Sequence, residues 1–308
     1  MSLTAPTLAE PARRGIMMRT LLGCLMRDKF ALAAAVFLTI LILAVVFGSF
    51  IVGDAATRIG LRQRNLPPFS LEQGWLFVLG ADTLGRPILA RLIIGAQSTM
   101  GIALAAVSCS MLIGGTLGLI AGYSERWYSQ LIQRLADIVM SFPSLLLALI
   151  VLYTLGPSIF NLIIVLAFTR MPVYLRTTRA EVLELRERMF VSAARSMGAS
   201  PLRIVFRHIA PLVLPTLVTI AAIDFATVIL AESSLSFLGL GIQPPAFTWG
   251  AMVANGRGYL ANAWWIACWP GLAIMLTTLS LNLLSSWART MADPQQRWRL
   301  QSLRKAPR

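Results

Sequence analysis

Two carboxylates stand in an otherwise apolar stretch of this 308-residue chain, and they are the side chains that most need a chemical explanation. Asp224 and Glu232 are eight positions apart and so fall on roughly one face of a helix. An ionisable group at lipid depth costs about 2.5 to 3.5 kcal/mol on insertion scales, so each must face a polar pathway or a polar partner. Asp224, near the middle of its run, is the candidate for lining a translocation path, and Glu232, at the end, is the candidate for a gate. The competing reading is that Ser, Thr or Arg groups of neighbouring helices satisfy both. Beyond them, SLSFLGLGIQPPAFTWG mixes apolar residues with Gly239, Gly241 and Pro244-Pro245. Backbone of that kind survives at membrane depth only inside protein or along a cavity. It is read as a gate or cap, with rigid packing as the alternative.

Other chemistries are excluded by what is missing. The only lysines are Lys29 and Lys305, and neither closes a G-x-x-x-x-G-K-[ST] phosphate loop. His208 is the sole histidine, which makes a Ser/His/Asp triad or a histidine-based metal site hard to build within this chain. Cys24, Cys109 and Cys268 are scattered, unlike a disulfide framework. The chain is therefore expected to bind no cofactor and to catalyse nothing itself.

The elements that must position the two acids are membrane spans. The chain is 57% hydrophobic and 13% charged with a mean hydropathy of +0.72, which no ordinary soluble domain shows. About 20 uncharged residues suffice to cross a hydrocarbon layer roughly 30 Å thick. Such runs predict an all-α integral membrane fold with six spans: 30–52, 92–121, 131–154, 158–178, 211–231 and 264–287. The third and fourth are separated at Gly156-Pro157, a turn signal inside one long apolar run. The organisation is a tail over 1–29, an anchor over 30–52, a linker over 53–91, a five-span core over 92–288 with a loop at 179–208, and a tail over 289–308. The first apolar run starts too late and is too long for a cleaved leader, so it is read as a retained anchor.

The net charge of +14 is distributed by linker. Lys and Arg number five in the N-terminal tail, eight between Arg170 and His208, six from Arg289 onward, and one between the last two spans. The positive-inside rule puts both termini and the 170–208 loop in the cytoplasm, and membrane orientation rather than nucleic acid accounts for the charge. Five arginines in the 53–91 linker, which parity places outside, run against the pattern. Trp249, Trp264, Trp265 and Trp269 at the outer end of the last span, and Trp287 and Trp298 near its inner end, fit interfacial belts or packing against a partner.

In the basic loop, Phe190, Ala193, Ala194 and Met197 recur at helical spacing, with Arg188, Ser192 and Arg195 on the other side. Gly198 can stop this short helix, and Ser200-Pro201 has the chemistry to begin another. Small residues in the stripe allow close approach of another surface. The alternative is an amphipathic helix lying on lipid headgroups.

The run SAARSMGAS followed by RHIAP resembles the loop by which membrane subunits of bacterial ABC importers insert a coupling helix into an ATPase. LGADTLGRPILARLIIGAQSTM at 79–100, LAESSLSFLGLGIQPPAFTWGAMVANGR at 230–257 and WPGLAIMLTTLSLNLLSSWARTMADP from Trp269 resemble the second permease subunit of dipeptide, oligopeptide and nickel systems. The resemblance covers nearly all of residues 30–294. It implies a type I importer permease in the bacterial inner membrane, docking its ATPase through Phe190, Ala193, Ala194, Arg195, Met197 and Gly198. It also implies a second homologous permease subunit, two cytoplasmic ATPases that use ATP and Mg, an external substrate-binding protein and a lipid surround. Cargo is expected to be di- or oligopeptide, with nickel or another small solute as the alternative and a proton-coupled secondary transporter as the rival of another class. Three departures stand out: Ser192 replaces a usual glutamate, Ala210-Pro211-Leu212 replaces Leu-Pro-Asn, and Pro87 stands where aspartate is common.

Overall fold

The computed structural model describes residues 28–124 and 126–292, together with Gly23, Leu25 and Met26. Residues 1–22, Cys24, Arg27, Glu125 and residues 293–308, Trp298 among them, lie outside the described residues.

Helix α1 (Lys29–Val52) starts where Asp28 accepts hydrogen bonds from the amides of Phe30 and Ala31. One face packs on the rest of the chain, while Val36, Ile40, Leu43, Phe47 and Phe50 are exposed, as lipid contact requires. The linker that follows is not an open loop. It runs through short 3₁₀ turns between Gly53 and Leu79 and then delivers the chain to α2 (Ile88–Tyr123). Helix α2 starts before, and ends after, the uncharged run that marks it in the sequence.

The expected third span is the first correction. In place of one helix over 131–154 there are two, α3 (Trp127–Ser141) and α4 (Ser144–Leu155), bent by 90°. Pro143 lacks an N–H and crowds the residue before it, and Phe142 accordingly turns extended at φ −94°, ψ 139°. Helix α5 (Ile159–Leu185) starts at the Ser158 cap and continues past residue 178 into the loop. It does so because Thr178, Val182 and Leu185 are buried. Helix α6 (Met189–Ser196) is the short loop helix. A turn at Pro201–Arg203 and a π-helical stretch at Ile204–Ile209 lead into α7 (Ala210–Phe237). Pro211 has no N–H to return to the Arg207 carbonyl and its ring crowds it, and there the helix widens. Helix α8 (Trp249–Gly256) and the last span α9 (Trp265–Ala292) complete the chain. Among the described residues, five helices are long and apolar enough to cross a membrane, and the bent α3–α4 pair makes a sixth span if taken as one.

Helices α2 and α5 are held together by a seam the sequence reading passed over. Gly114, Gly118 and Gly122 recur every fourth residue and let the α5 backbone come close. A Cβ at Gly118 would lie 2.5 Å from Thr178 Cβ and 2.6 Å from the Leu175 carbonyl. One at Gly114 would lie 2.5 Å from the Met171 carbonyl. Spacing of small residues at i and i+4 is the membrane signature of such close crossings, so the signal was present in IGGTLGLIAGY.

Candidate functional site

Two sites take shape on this scaffold, one at each end of α7.

At the basic loop, α6 presents two faces. Val191 and Ala194 are buried with Val182, Leu185, Ile204, Val205 and Ile209 in a small core of their own. Phe190, Ala193 and Met197 face away, with Met197 81% exposed. The expected four-residue stripe therefore divides: Ala194 anchors the helix inward and is not available to a partner, because Val191, three residues earlier, directs that face onto the π-helical stretch. Arg195 and Ser192 are exposed, and Met189 adds a further exposed apolar side chain. Gly198 ends the helix at φ +82°, with its amide on the Arg195 carbonyl and the Ala199 amide on the Ala194 carbonyl. Any side chain at 198 would be strained at that angle. Ser200 then accepts from the Arg203 amide and Pro201 opens the next turn, as the sequence chemistry predicts. Arg188 is tied to Glu184 one turn back at 2.6 Å.

In the middle of α7, Asp224 is enclosed. Its Oδ1 pairs with Arg170 Nε at 3.0 Å and its Oδ2 accepts from the Tyr174 hydroxyl at 3.2 Å, both groups on α5. Tyr174 is fully buried. The ion pair clamps α5 to α7 beside the glycine seam. Asp137 pairs with Arg176 at 2.5 Å and ties α3 to α5.

Toward the other end of α7, Glu232 is also wholly buried. Its Oε1 accepts from Ser236 Oγ at 2.6 Å, Ser236 Oγ lies 3.4 Å from Thr248 Oγ1, and the Trp249 amide donates to Thr99 Oγ1 at 3.1 Å. This polar chain runs from α7 through the head of α8 to α2. Both acids thus have the internal partners that the competing reading required, and neither opens to solvent in this conformation. Gly239 and Gly241 shape the turn that follows α7. Gly239 takes φ +87° to cap α7, with the Leu240 amide returning to the Leu235 carbonyl. Gly241 lies where a Cβ would be 2.5 Å from Ser236 Cα.

The motifs at 79–100 and 230–257 meet here. Asp82 is the hub of a cap: Oδ1 accepts from the amides of Leu84 and Arg86, and Oδ2 pairs with Arg86 and with Arg91, each at 2.7 Å. The Arg91 guanidinium lies 4.3 Å above the Phe247 ring. Two of the five arginines that ran against the orientation count are therefore committed to one carboxylate. Trp249 donates from its indole to the Leu92 carbonyl, and Trp265 to the Ala81 carbonyl at 3.1 Å. Both are buried pins of the cap and not members of an interfacial belt, whereas Trp264 is 48% exposed. Sequence reasoning missed the Asp82 hub, although D-x-x-x-R was visible within the quoted motif.

Comparison with known proteins agrees with this geometry. The di/tripeptide transport system permease protein DppC of Pseudomonas aeruginosa is 43% identical over 230 residues, covering 74% of this chain and 76% of that protein. The dipeptide transport system permease protein DppC of Alkalihalophilus pseudofirmus is 35% identical over 273 residues, 89% of this chain and 88% of that one. The glutathione transport system permease protein GsiD of Escherichia coli is 40% identical over 270 residues, 87% of this chain and 88% of that one. Among solved structures, an inward-facing MetNI methionine ABC transporter chain superposes with a TM-score of 0.54 at 19% identity, covering 65% of this chain and 95% of that chain. At that identity the likeness speaks for the fold. A family model described as binding-protein-dependent transport system inner membrane component matches residues 114–298. With bundle, loop helix and motifs in agreement, the chain belongs to the family of binding-protein-dependent transport system inner membrane components.

Proposed function

We propose that this chain is one of two homologous permease subunits of an ATP-driven importer for di- or oligopeptides. In this reading the loop helix α6 faces the cytoplasm together with both chain termini, and the opposite end of α7 faces an external binding protein. ATP and Mg are used by two separate ATPase subunits. The observation that carries the reading is the division of α6: Val191 and Ala194 bury it in a core shared with the end of α5 and the π-helical stretch that leads into α7, while Phe190, Ala193 and Met197 are left apolar and exposed beside the Gly198 stop. A helix bound so tightly on one side transmits a push on its other side. The Arg170–Asp224–Tyr174 clamp then couples α5 and α7, and the Glu232–Ser236–Thr248 chain carries displacement to the outer cap. Asp224 and Glu232 serve as couplers of the pathway walls, and Gly239 and Gly241 shape the turn that joins α7 to the gate. Peptide cargo is supported by the names of the relatives.

The test is uptake of a labelled dipeptide into proteoliposomes that contain this chain, its companion permease, the ATPases and the binding protein. Uptake should require ATP and every subunit. Uptake by this chain alone, driven by a proton gradient, would overturn the proposal in favour of a secondary transporter.

A further inference from the structure

The Asp82 hub is electrically unbalanced. One carboxylate faces two guanidinium groups, and its Oδ1 is already occupied by two backbone amides. Arg91 is 5% exposed, and among the described residues the only hydrogen bond of its side chain runs from Nη1 to Asp82, which leaves the rest of its donor fork open to a ligand. Both arginines line two adjoining cavities. The larger, about 390 Å³, is walled by Thr83, Pro244, Met252, Asn255 and Tyr259. The smaller, about 150 Å³, is bounded by Thr57, Asn255 and the Phe247 ring that supports Arg91. Asp82 is the one acid among the residues that line these cavities. A pocket with excess positive charge, a partly used guanidinium fork, an amide and a phenol side chain, and apolar walls matches a carboxylate on a small organic body.

We propose that this cap contains a subsite for the free C-terminal carboxylate of a short peptide, which docks on Arg91 and Arg86 with Asn255 and Tyr259 at its flanks. This inference rests on the peptide-importer reading and names a contact that cargo makes on the chain itself. A peptide released at this end of the bundle would be held by its α-carboxylate, a charge that every free peptide carries whatever its side chains are.

Saturation-transfer NMR on the full chain, purified in detergent with its companion permease and the ATPases but without the binding protein, tests the idea with alanyl-alanine and alanyl-alanine amide as probes. The acid should bind and the amide should bind at least about tenfold more weakly, the scale expected for a lost charge-assisted contact. Arg86→Gln leaves a balanced Arg91–Asp82 pair, and Asn255→Asp sets a carboxylate on an exposed wall without touching that pair; each should reduce acid binding to the level of the amide. Equal binding of acid and amide, or unchanged acid binding in both variants, overturns the subsite. Should alanyl-alanine fail to bind while ATP-driven dipeptide uptake proceeds, the subsite is refuted and the importer reading stands. Binding with the stated selectivity but no peptide uptake supports the subsite and counts against the importer reading.

Discussion

Replacing Gly118 by alanine adds one methyl group where none fits. The new Cβ would lie 2.5 Å from Thr178 Cβ and 2.6 Å from the Leu175 carbonyl, and the second of these is backbone that cannot rotate away. Restoring an ordinary carbon contact of about 3.5 Å requires α2 and α5 to part by about 1 Å. A gap of that size removes about a third of the dispersion well of each atom pair across the seam. With about 40 pairs at roughly 0.15 kcal/mol each, the loss is about 2 kcal/mol. Alanine also gains about 1 kcal/mol of helix propensity over glycine, so the proper reference is a glycine of the same helix with room to spare. Gly101 is such a site, exposed and with nothing within 4 Å of an added Cβ. Gly118→Ala should therefore be about 2 kcal/mol less stable than Gly101→Ala, since the propensity gain cancels between them. Unfolding by SDS titration in mixed micelles, followed by tryptophan fluorescence, reads the difference directly. Equal stability of the two variants would refute the close-crossing argument.

Three further substitutions examine the proposed transmission line. Asp224→Ala strands Arg170 and the buried Tyr174 hydroxyl, and a broken buried pair costs about 3 to 5 kcal/mol; the double variant Asp224→Ala with Arg170→Leu should recover much of that in the same unfolding assay. If the double variant is no more stable than the single one, the clamp does not act as a pair. At the loop, Met197→Asp should abolish co-purification of the ATPase subunits while leaving thermal stability unchanged, because Met197 is 81% exposed. Ala194→Leu should do the reverse and lose about 1 to 3 kcal/mol from overpacking its small core. The same effect from both would dissolve the distinction between the faces of α6.

The sequence by itself determined the class of molecule and much of its local grammar. Runs of uncharged residues mark helices wherever they are long, because a bilayer leaves the backbone no other way to satisfy its polar groups. The stop at Gly198 and the restart at Ser200-Pro201 were legible because caps depend on a few adjacent residues. The break at Pro143 was legible in principle as well, but the apolar run across it masked a local steric veto. What only the tertiary structure decided is which side chains meet. Asp224 carries no mark that its partners are Arg170 and Tyr174, about 50 residues away, instead of a pathway. The apolar stripe of α6 could not be divided into Ala194 inward and Phe190, Ala193 and Met197 outward, since helical periodicity gives the spacing of a face but not the direction it points. Trp249 and Trp265 fit a membrane belt by position alone, until their indoles are found on the carbonyls of Leu92 and Ala81. Long-range pairing is chosen by shape and by the demand that every buried polar group find a partner, and that choice is made only when all the spans are assembled.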